Sequence, residues 1–434
     1  MTAAVAPYLT FNPHVRGTRP SATIAINERS RQLLAQGRNV VRLGLGQSPF
    51  PVPEMVVEAL RYHAHEKDYL PVRGLPALRQ AVADHLNRRQ DLSVGADQVL
   101  IGPGSKELLF LLQLCYAGDL VIPAPSWVTY APQARLLGRQ PIWLATDRDS
   151  GLGVTAERLE LLCRDAPQRA RLLILNYPGN PTGTSYSAAQ LQEIAEVARR
   201  HRVLVLSDEI YGELDFAGAH VSLARFYPEG TIVSGGLSKW CGAGGWRLGT
   251  FAVPTPLAPL ADLMAAVASE TFTAVSAPIQ YAAVRAFQGG PEIDDYLDRS
   301  RAVLGALLEL GRRLLVDAGA EVCPARGGFY LFPSFERQRE ALARIDIDTG
   351  VSLCERLLEE TGVACLPGSD FGRPDAELSL RLALVDFDGA AALDDLERRD
   401  DGYAVDTAYL DQHCARTLRG LRSLRDWFVR AASD

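Results

Sequence analysis

The chain has 434 residues, of which 47% are hydrophobic and 22% charged, enough for a large core and more than one domain. Its formal net charge of −7 at pH 7 argues against a nucleic-acid-binding or anionic-membrane surface. The start, MTAAVAPYLT, lacks a basic segment followed by an apolar run, and no apolar stretch approaches membrane-spanning length, so we expect neither signal peptide nor membrane segment. Seven scattered cysteines without a CxxC pair favour reduced thiols in a cytoplasmic protein, and the histidines show no metal-ligand spacing.

Short apolar runs alternate with helical periodicity over the first two thirds of the chain. This alternation predicts an α/β domain with a mostly parallel sheet. Polar and glycine-rich residues follow several of the runs, and such sheets bind ligands beyond the carboxyl ends of their strands. Helical patterns include Glu107–Tyr116 and Ala188–His201. The predicted strands are Gln98–Ile101, Leu120–Ile122, Leu172–Leu175, Val203–Leu206, Ile232–Val233 and Thr250–Val253.

The last third of the chain predicts a smaller α+β unit. A long helix over Asp294–Ala318 leads into it, and strands are expected at the Gly-Gly-Phe-Tyr segment near residue 328 and at Leu378–Leu384. Residues 15–48 are expected to join this unit. Residues 386–406, rich in Asp, Arg and Gly, are interpreted as a surface insertion before a last amphipathic helix, Thr407–Ala431.

Lys239 lies in a glycine-rich stretch of low charge, SGGLSKWCGAGGWRLG, just after a predicted strand. Apolar surroundings lower the pKa of a lysine because burial disfavours the ammonium form. A lysine that forms a Schiff base needs such a lowered pKa. Arg247, eight residues further on, has the fork-shaped guanidinium that can bind a phosphate through two hydrogen bonds.

Asp208 follows a very apolar strand in VLVLSDEIYGEL. A carboxylate in such a place needs a partner. Capping of a helix at Asp-Glu-Ile-Tyr is one interpretation. The other is an ion pair to a protonated pyridine nitrogen, which would keep the ring able to accept electrons. Tyr211, three residues on, could then donate a hydrogen bond to the phenolate oxygen of the same ring.

Two further segments follow predicted strands. Gly102-Pro103-Gly104-Ser105-Lys106 opens a helix, so its free backbone N–H groups could cradle a phosphate. Asn176-Tyr177-Pro178-Gly179-Asn180-Pro181-Thr182-Gly183 carries two prolines that fix a turn and could aim the Asn180 amide inward. Taken singly, each segment is also consistent with an ordinary loop.

Together, in this order and spacing, these segments resemble the class I/II aminotransferases, which are fold-type I enzymes dependent on pyridoxal 5′-phosphate (PLP). Bacterial aspartate aminotransferases are the most similar in motif. The resemblance extends over about residues 20 to 385 and depends on the Asn-Pro-Thr-Gly, Ser-Asp-Glu-Ile-Tyr and Ser-Lys-x7-Arg boxes. It implies a large α/β domain with a mostly parallel seven-stranded sheet, residues 49–292. Residues 1–48 would form an N-terminal arm and part of the small domain. Residues 293–434 would form the interdomain helix and the C-terminal part of the small domain.

The resemblance also implies roles for individual residues. Lys239 would carry the cofactor as a Schiff base and move the substrate proton, with Asp208 and Tyr211 beside it. Arg381 would pair with the substrate α-carboxylate; it interrupts an apolar strand, and a buried arginine needs an anion. The other cofactor ligands would be Gly104, Ser105, Lys106, Trp127 stacked on the ring, Asn180, Ser238, Arg247 and Tyr69 of the neighbouring subunit. Gly46 would contact the substrate, as would Asn180 and Trp127.

Several positions depart from the family pattern. Gly46-Gln47-Ser48-Pro49-Phe50 replaces the usual Gly-Glu-Pro-x-Phe. Gly236 stands where a serine is common, so Ser234 or Ser238 would have to supply that hydroxyl to the phosphate. The loop 241–245 is richer in glycine than in most members, and the 386–406 segment is extra. None of these departures removes a core catalytic group, so they bear on the reaction type and not on the cofactor.

The leading functional hypothesis is ping-pong transfer of an amino group from an L-amino acid to a 2-oxo acid by a cytoplasmic homodimer of amino-acid metabolism. The alternative is a non-transaminating PLP enzyme of a biosynthetic pathway: a lyase, cyclase, oxidase or carbon–carbon bond-forming enzyme. A regulator carrying a helix-turn-helix is disfavoured, because only about 20 residues precede the matched region. Ser21-Ala22-Thr23 and Lys106 are similar to residues that recognise an acidic side chain, although capping of the first helix and a solvated lysine explain them equally well.

Overall fold

The structure, a computed structural model, describes residues 9–18, 20–399 and 402–433. The first eight residues of the predicted arm, and residues 400 and 401 of the predicted insertion, lie outside the described residues. The helices are α1 Ala22–Ala35, α2 Glu54–Tyr62, α3 Pro76–Gln90, α4 Ser105–Cys115, α5 Tyr130–Leu136, α6 Ala156–Asp165, α7 Ala188–Arg200, α8 Ala258–Ser269, α9 Ala277–Gln288, α10 Pro291–Asp317, α11 Arg339–Ala343, α12 Gly350–Thr361, α13 Gly389–Glu397, α14 Thr407–His413 and α15 Ala415–Ser433. The strands are β1 Val41–Arg42, β2 Val99–Gly102, β3 Asp119–Ala124, β4 Ile142–Ala145, β5 Arg171–Asn176, β6 Leu204–Asp208, β7 Thr231–Gly236, β8 Gly249–Ala252, β9 Tyr330–Leu331, β10 Val363–Ala364, β11 Leu366–Pro367 and β12 Leu380–Ala383.

A seven-stranded sheet forms the centre of the larger unit, in the order β2-β8-β7-β6-β5-β3-β4. Only β8 runs antiparallel to its neighbours; the other pairs are parallel. The predicted α/β fold with a mostly parallel seven-stranded sheet is therefore confirmed. Helices cover both faces, which is why strands such as β6 are buried along their whole length rather than on alternate residues.

The carboxyl ends of the central strands meet at one edge of this sheet. Asn176, the last residue of β5, pairs in register with Asp208, the last residue of β6. Asp208 in turn pairs with Ser234 of β7. The segments that follow β2 and β7 reach the same edge, so motifs far apart in sequence are brought together there.

The smaller unit contains a three-stranded antiparallel sheet, β11-β12-β9. The N-terminal segment joins this unit because β1 pairs in parallel with β10, Val41 opposite Val363. The long helix α10 connects the two units and buries a continuous apolar stripe. We propose that the domain boundaries near residues 48 and 292 follow this division. None of the described helices combines the length and the apolar character needed to cross a membrane.

Part of residues 386–406, the segment interpreted as a surface insertion, forms a helix that was not predicted. Gly389–Glu397 forms α13, whose N-cap Asp388 accepts a hydrogen bond from the backbone of Ala391. Leu393 and Leu396 are buried, so the helix packs on the protein despite its acidic outer face. The predicted last helix is also two helices, because the chain breaks at Cys414 between α14 and α15.

Candidate active site

A cavity of about 580 Å³ lies at the carboxyl ends of the strands, between the two units. Its volume is within the range of small-molecule sites. Residues from the first helix, from five strand-following segments and from the small unit line it together. They are Thr23, Ile24, Leu45, Gly46, Gln47, Ser105, Lys106, Trp127, Tyr130, Asn176, Asn180, Asp208, Ile210, Tyr211, Ser238, Lys239, Gly244, Gly245, Arg247, Tyr330 and Arg381.

Lys239 reaches this cavity from the loop that follows β7. Its Nζ donates a hydrogen bond to the carbonyl of Gly46 at 2.8 Å. Burial, reinforced by the positive charges of Arg381 and Arg247, lowers the pKa of Lys239 to about 8. A sizeable fraction of Lys239 is therefore neutral, and nucleophilic, near physiological pH. The chain contains only three lysines, and Lys67, outside the cavity, has a side chain that is 83% exposed.

Asp208 is 2% exposed at the end of β6. Its carboxylate accepts hydrogen bonds from the hydroxyls of Tyr130, at 2.5 Å, and Ser234, at 3.2 Å. Burial raises the pKa of Asp208 to about 6, although both hydrogen bonds act in the opposite direction. The carboxylate makes no ion pair with any described residue, so the geometry leaves it available to a cation inside the cavity.

Tyr130 is a site residue that the sequence analysis missed. It begins α5, three residues after Trp127 in the same Pro-Ser-Trp-Val-Thr-Tyr segment, and that spacing was the available signal. Ser234 is excluded as a substitute phosphate ligand because its buried hydroxyl bonds to Asp208. Ser238 lines the cavity and stays a candidate.

Arg247 and the start of α4 together form an anion cradle. Gly104, the N-cap of α4, has a φ of 89°, and a side-chain carbon there would overlap the Arg247 guanidinium. Arg247 donates to the carbonyls of Gly244 at 2.9 Å and Pro103 at 3.4 Å but pairs with no described carboxylate. Ser105, the first residue of α4, also lines the cavity, and the N–H groups that lack a partner at the start of a helix favour an anion.

Arg381 lies on β12 and is 1% exposed. Its guanidinium sits between two aromatic rings, 4.9 Å from the centre of Tyr330 and 5.0 Å from that of Phe371. It donates to Asn180 Oδ1 at 3.3 Å and to the carbonyl of Gly44, while its Nε has no acceptor. No described carboxylate pairs with it. A fully buried cation without a counter-ion is costly unless an anionic ligand supplies one.

Lys106 and Trp127 form another wall of the cavity, with Lys106 Nζ 5.1 Å from the ring centre. Burial lowers the pKa of Lys106, and the charge of Arg247 lowers it further. Thr23 lines the cavity, and its hydroxyl lies 3.0 Å from that of Ser21. Ser21 makes no side-chain cap of α1, so the capping interpretation fails for that residue.

Tyr211 and Asn180 both contact the hydroxyl of Tyr330, a residue that was not predicted to belong to the site. Tyr211 Oη lies 2.8 Å from Tyr330 Oη, and Asn180 Nδ2 donates to the same oxygen at 3.3 Å. Tyr69 is not brought into the cavity of its own chain and is 91% exposed. Across the described part of the chain, no cluster of histidine, cysteine and acidic side chains could hold a metal ion.

The chain is similar to known proteins over most of its length. The family model for aminotransferase class I and II matches residues 38–387. The aspartate aminotransferase of Geobacillus stearothermophilus is 34% identical over 394 residues, 88% of this chain and 95% of the relative. The asparagine–oxo-acid transaminase of Streptococcus mutans is 32% identical, over 82% and 90% of the two chains. The structure of Thermus thermophilus aspartate aminotransferase with maleate superposes with a TM-score of 0.80 at 28% identity, covering 95% of this chain and all of that one.

Proposed function

Because this chain belongs to the class I and II aminotransferases and is an enzyme of that family, we propose that PLP is its cofactor and that it moves an amino group from an acidic L-amino acid to a 2-oxo acid. One observation carries the proposal. Four cations line the cavity, Lys106, Lys239, Arg247 and Arg381, and none forms an ion pair with a described residue. Asp208 is the one acidic residue among those that line it.

The described residues fit PLP. Arg247, Ser105, Ser238 and the backbone at Gly104 would bind its phosphate. The buried carboxylate of Asp208, whose partners are neutral hydroxyls, would pair with the ring nitrogen. Asn180 and Tyr211 would donate to the ring oxygen, Trp127 would stack on the ring, and Lys239 would hold the cofactor covalently.

The chain's own groups also supply the proton transfer. PLP, when bound, supplies electron withdrawal from the substrate Cα. Lys239 Nζ, with a pKa of about 8, would act as the base that accepts the substrate Cα proton and then as the acid that returns it. Arg381 and Gly46 hold the α-carboxylate, which fixes the Cα–H bond relative to Lys239. The burial that lowers the lysine pKa also keeps water away from this step.

An acidic side chain is the substrate feature that the cavity supports. Arg381 would bind one carboxylate and Arg247 one phosphate, which leaves Lys106, beside Trp127 in the cavity wall, without an anionic partner. A second carboxylate on the substrate would meet Lys106. Relatives named for aspartate support this preference, as does an aspartate/prephenate aminotransferase of Cereibacter sphaeroides at 32% identity over 82% of this chain. The non-transaminating alternative gains no support from the relatives.

We also propose a homodimer with shared active sites and a cytoplasmic location. The outward-facing Tyr69 supports the first, since a tyrosine 91% exposed in one chain could reach the cavity of another. The absence of disulfides among the described cysteines supports the second.

Purified protein loaded with PLP tests this function. We expect aspartate and glutamate to convert the cofactor to its aminated form, seen by absorbance, and a 2-oxo acid to reverse the change. Borohydride should fix the cofactor on Lys239, as read by peptide mapping. Lys239→Ala should abolish both signals, while Lys67→Ala, a control at an exposed lysine, should retain them. Turnover that releases no 2-oxo acid, or a label on Lys67 or Lys106, would refute the proposal.

A further inference from the structure

Tyr330 lies beside Arg381 because of the register of the small sheet. Strand β9 pairs with β12 so that Tyr330 is opposite Ala383. Arg381 is two residues from Ala383 and therefore projects from the same face, a diagonal neighbour within reach of a long side chain. The guanidinium stands 4.9 Å from the centre of the Tyr330 ring.

The hydroxyl of Tyr330 is placed between two sets of groups. On one side are Tyr211 and Asn180, at 2.8 Å and 3.3 Å, which we assign to the cofactor ring oxygen. On the other are Arg381 and the backbone of Gly46, which we assign to the substrate α-carboxylate. Gly46 approaches so closely that a methyl group added there would overlap Tyr330 Oη.

The hydroxyl is a neutral donor. Burial raises the pKa of Tyr330, although the charge of Arg381 acts against this. A phenol has one hydrogen and two acceptor positions. One acceptor position receives Asn180 Nδ2, and the hydrogen is free to point either to Tyr211 or towards an anion on Arg381.

We propose that Tyr330 is a ligand of the substrate α-carboxylate, alongside Arg381 and Gly46. In the free enzyme its hydroxyl pairs with Tyr211; with a carboxylate on Arg381 it donates its hydrogen to that carboxylate. The ligand class is an α-amino or 2-oxo acid, and this assignment depends on the proposed function. A mere packing role for the ring would not require the hydroxyl.

Tyr330→Phe tests the assignment because it removes the hydroxyl and keeps the ring. The probe is succinate, a dicarboxylate without an amino group, titrated by calorimetry into PLP-loaded protein. We expect its Kd to rise roughly 10- to 100-fold, the usual loss for a hydrogen bond to a charged group. The Kd of PLP for the apoprotein, followed by fluorescence, should change by less than about threefold. Tyr409→Phe is the matched control: its buried hydroxyl donates to the carbonyl of Ala392 at 2.6 Å, outside the cavity, so both constants should stay at wild-type values.

A second variant, at Gly46, tests the position of the same Tyr330 hydroxyl. Gly46→Ala should displace Tyr330 Oη and weaken succinate binding, and the double variant should lose less than the sum of the two single losses. An unchanged succinate Kd in Tyr330→Phe, or a PLP Kd weakened as much as the succinate Kd, would overturn the assignment. Failure of the wild-type protein to bind PLP would instead overturn the proposed function and would be seen before any variant is compared.

Discussion

At the scale of single residues, the candidate site is defined by charges that lack partners inside the chain. Lys239 shows how they act on one another: burial lowers its pKa first, and the uncompensated charge of Arg381 lowers it further. Asp208, nearby, acts in the opposite direction. The arginine proposed to bind substrate therefore also helps to keep the lysine neutral.

The uptake of PLP by the apoprotein should report this coupling. Only neutral Lys239 attacks the aldehyde, so the uptake rate should rise with pH and level off above a midpoint near 8. Arg381→Leu removes one of the charges that lower the lysine pKa, and the midpoint should move to higher pH. Arg312→Leu, a control on α10 at an arginine paired with Glu309, should leave the midpoint in place. A wild-type midpoint near 10 would show that Lys239 is not desolvated.

Local motifs after predicted strands indicated Lys239, Asp208 and Asn180, whereas Arg381 was assigned from the family resemblance. All four line the cavity. Tyr330 was different. It meets Tyr211 across 119 residues of sequence, and only the pairing of β9 with β12 brings it to Arg381. A contact set by strand register leaves no trace in local spacing.

At the scale of elements, a buried ionic cluster joins α3 to α10 behind the site. Glu213 accepts from His85 at 3.1 Å and from Arg301 at 3.3 Å, and Arg89 lies 3.7 Å away. Burial alone would raise the pKa of Glu213, but the hydrogen bond from His85 and the surrounding positive charges outweigh it and bring the pKa to about 2. His85 also stacks on Trp240, next to Lys239.

Glu213→Gln should therefore destabilise the fold. Removing one partner of a buried charge cluster leaves the cations uncompensated, and we expect a loss of about 3 kcal/mol in the free energy of unfolding. Because the folded pKa of Glu213 is depressed, its contribution is complete above the unfolded value of 4.5 and declines as the pH falls towards 2. Denaturant unfolding at pH 7 and pH 3 should show the difference from wild type shrinking at the lower pH.

Glu309→Gln offers the comparison for that measurement. Glu309 pairs with Arg312 on the outer face of α10 and its side chain is 49% exposed. Its replacement should change the stability by less than about 1 kcal/mol, as is usual for surface ion pairs. Equal losses in the two variants would contradict the special role of the buried cluster.

Elements were predictable where burial and periodicity agreed. Six strands of the large sheet follow from continuous apolar runs, whereas β4 does not: it is a four-residue edge strand whose Trp143 is 37% exposed. The seventh strand came from the family resemblance alone. Helix α13 was not predicted because acidic residues interrupt its apolar positions. Its Leu393 and Leu396 are nevertheless buried against the protein.

At the scale of the whole molecule, one predicted cofactor ligand lies outside the cavity that it should serve. Tyr69 is 91% exposed, and Tyr62, at the end of α2, is 74% exposed. Exposed aromatic side chains of this size are typical of surfaces that bind a partner. A two-fold dimer would place the same patch on both chains and could bring each Tyr69 to the other's cradle at Arg247.

Mixed dimers test this arrangement. Tyr69→Phe and Lys239→Ala proteins are unfolded together, refolded as a mixture and assayed at a PLP concentration too low to saturate the Tyr69→Phe sites. If Tyr69 acts across the interface, a mixed dimer has one site with both defects and one intact site. Equal mixing should then give about a quarter of the wild-type activity per site, in addition to a quarter of the Tyr69→Phe activity, which is above the average of the two parents. If Tyr69 acts within its own chain, every site in the mixed dimer carries one defect, and the mixture should show no more than the average of its two parents.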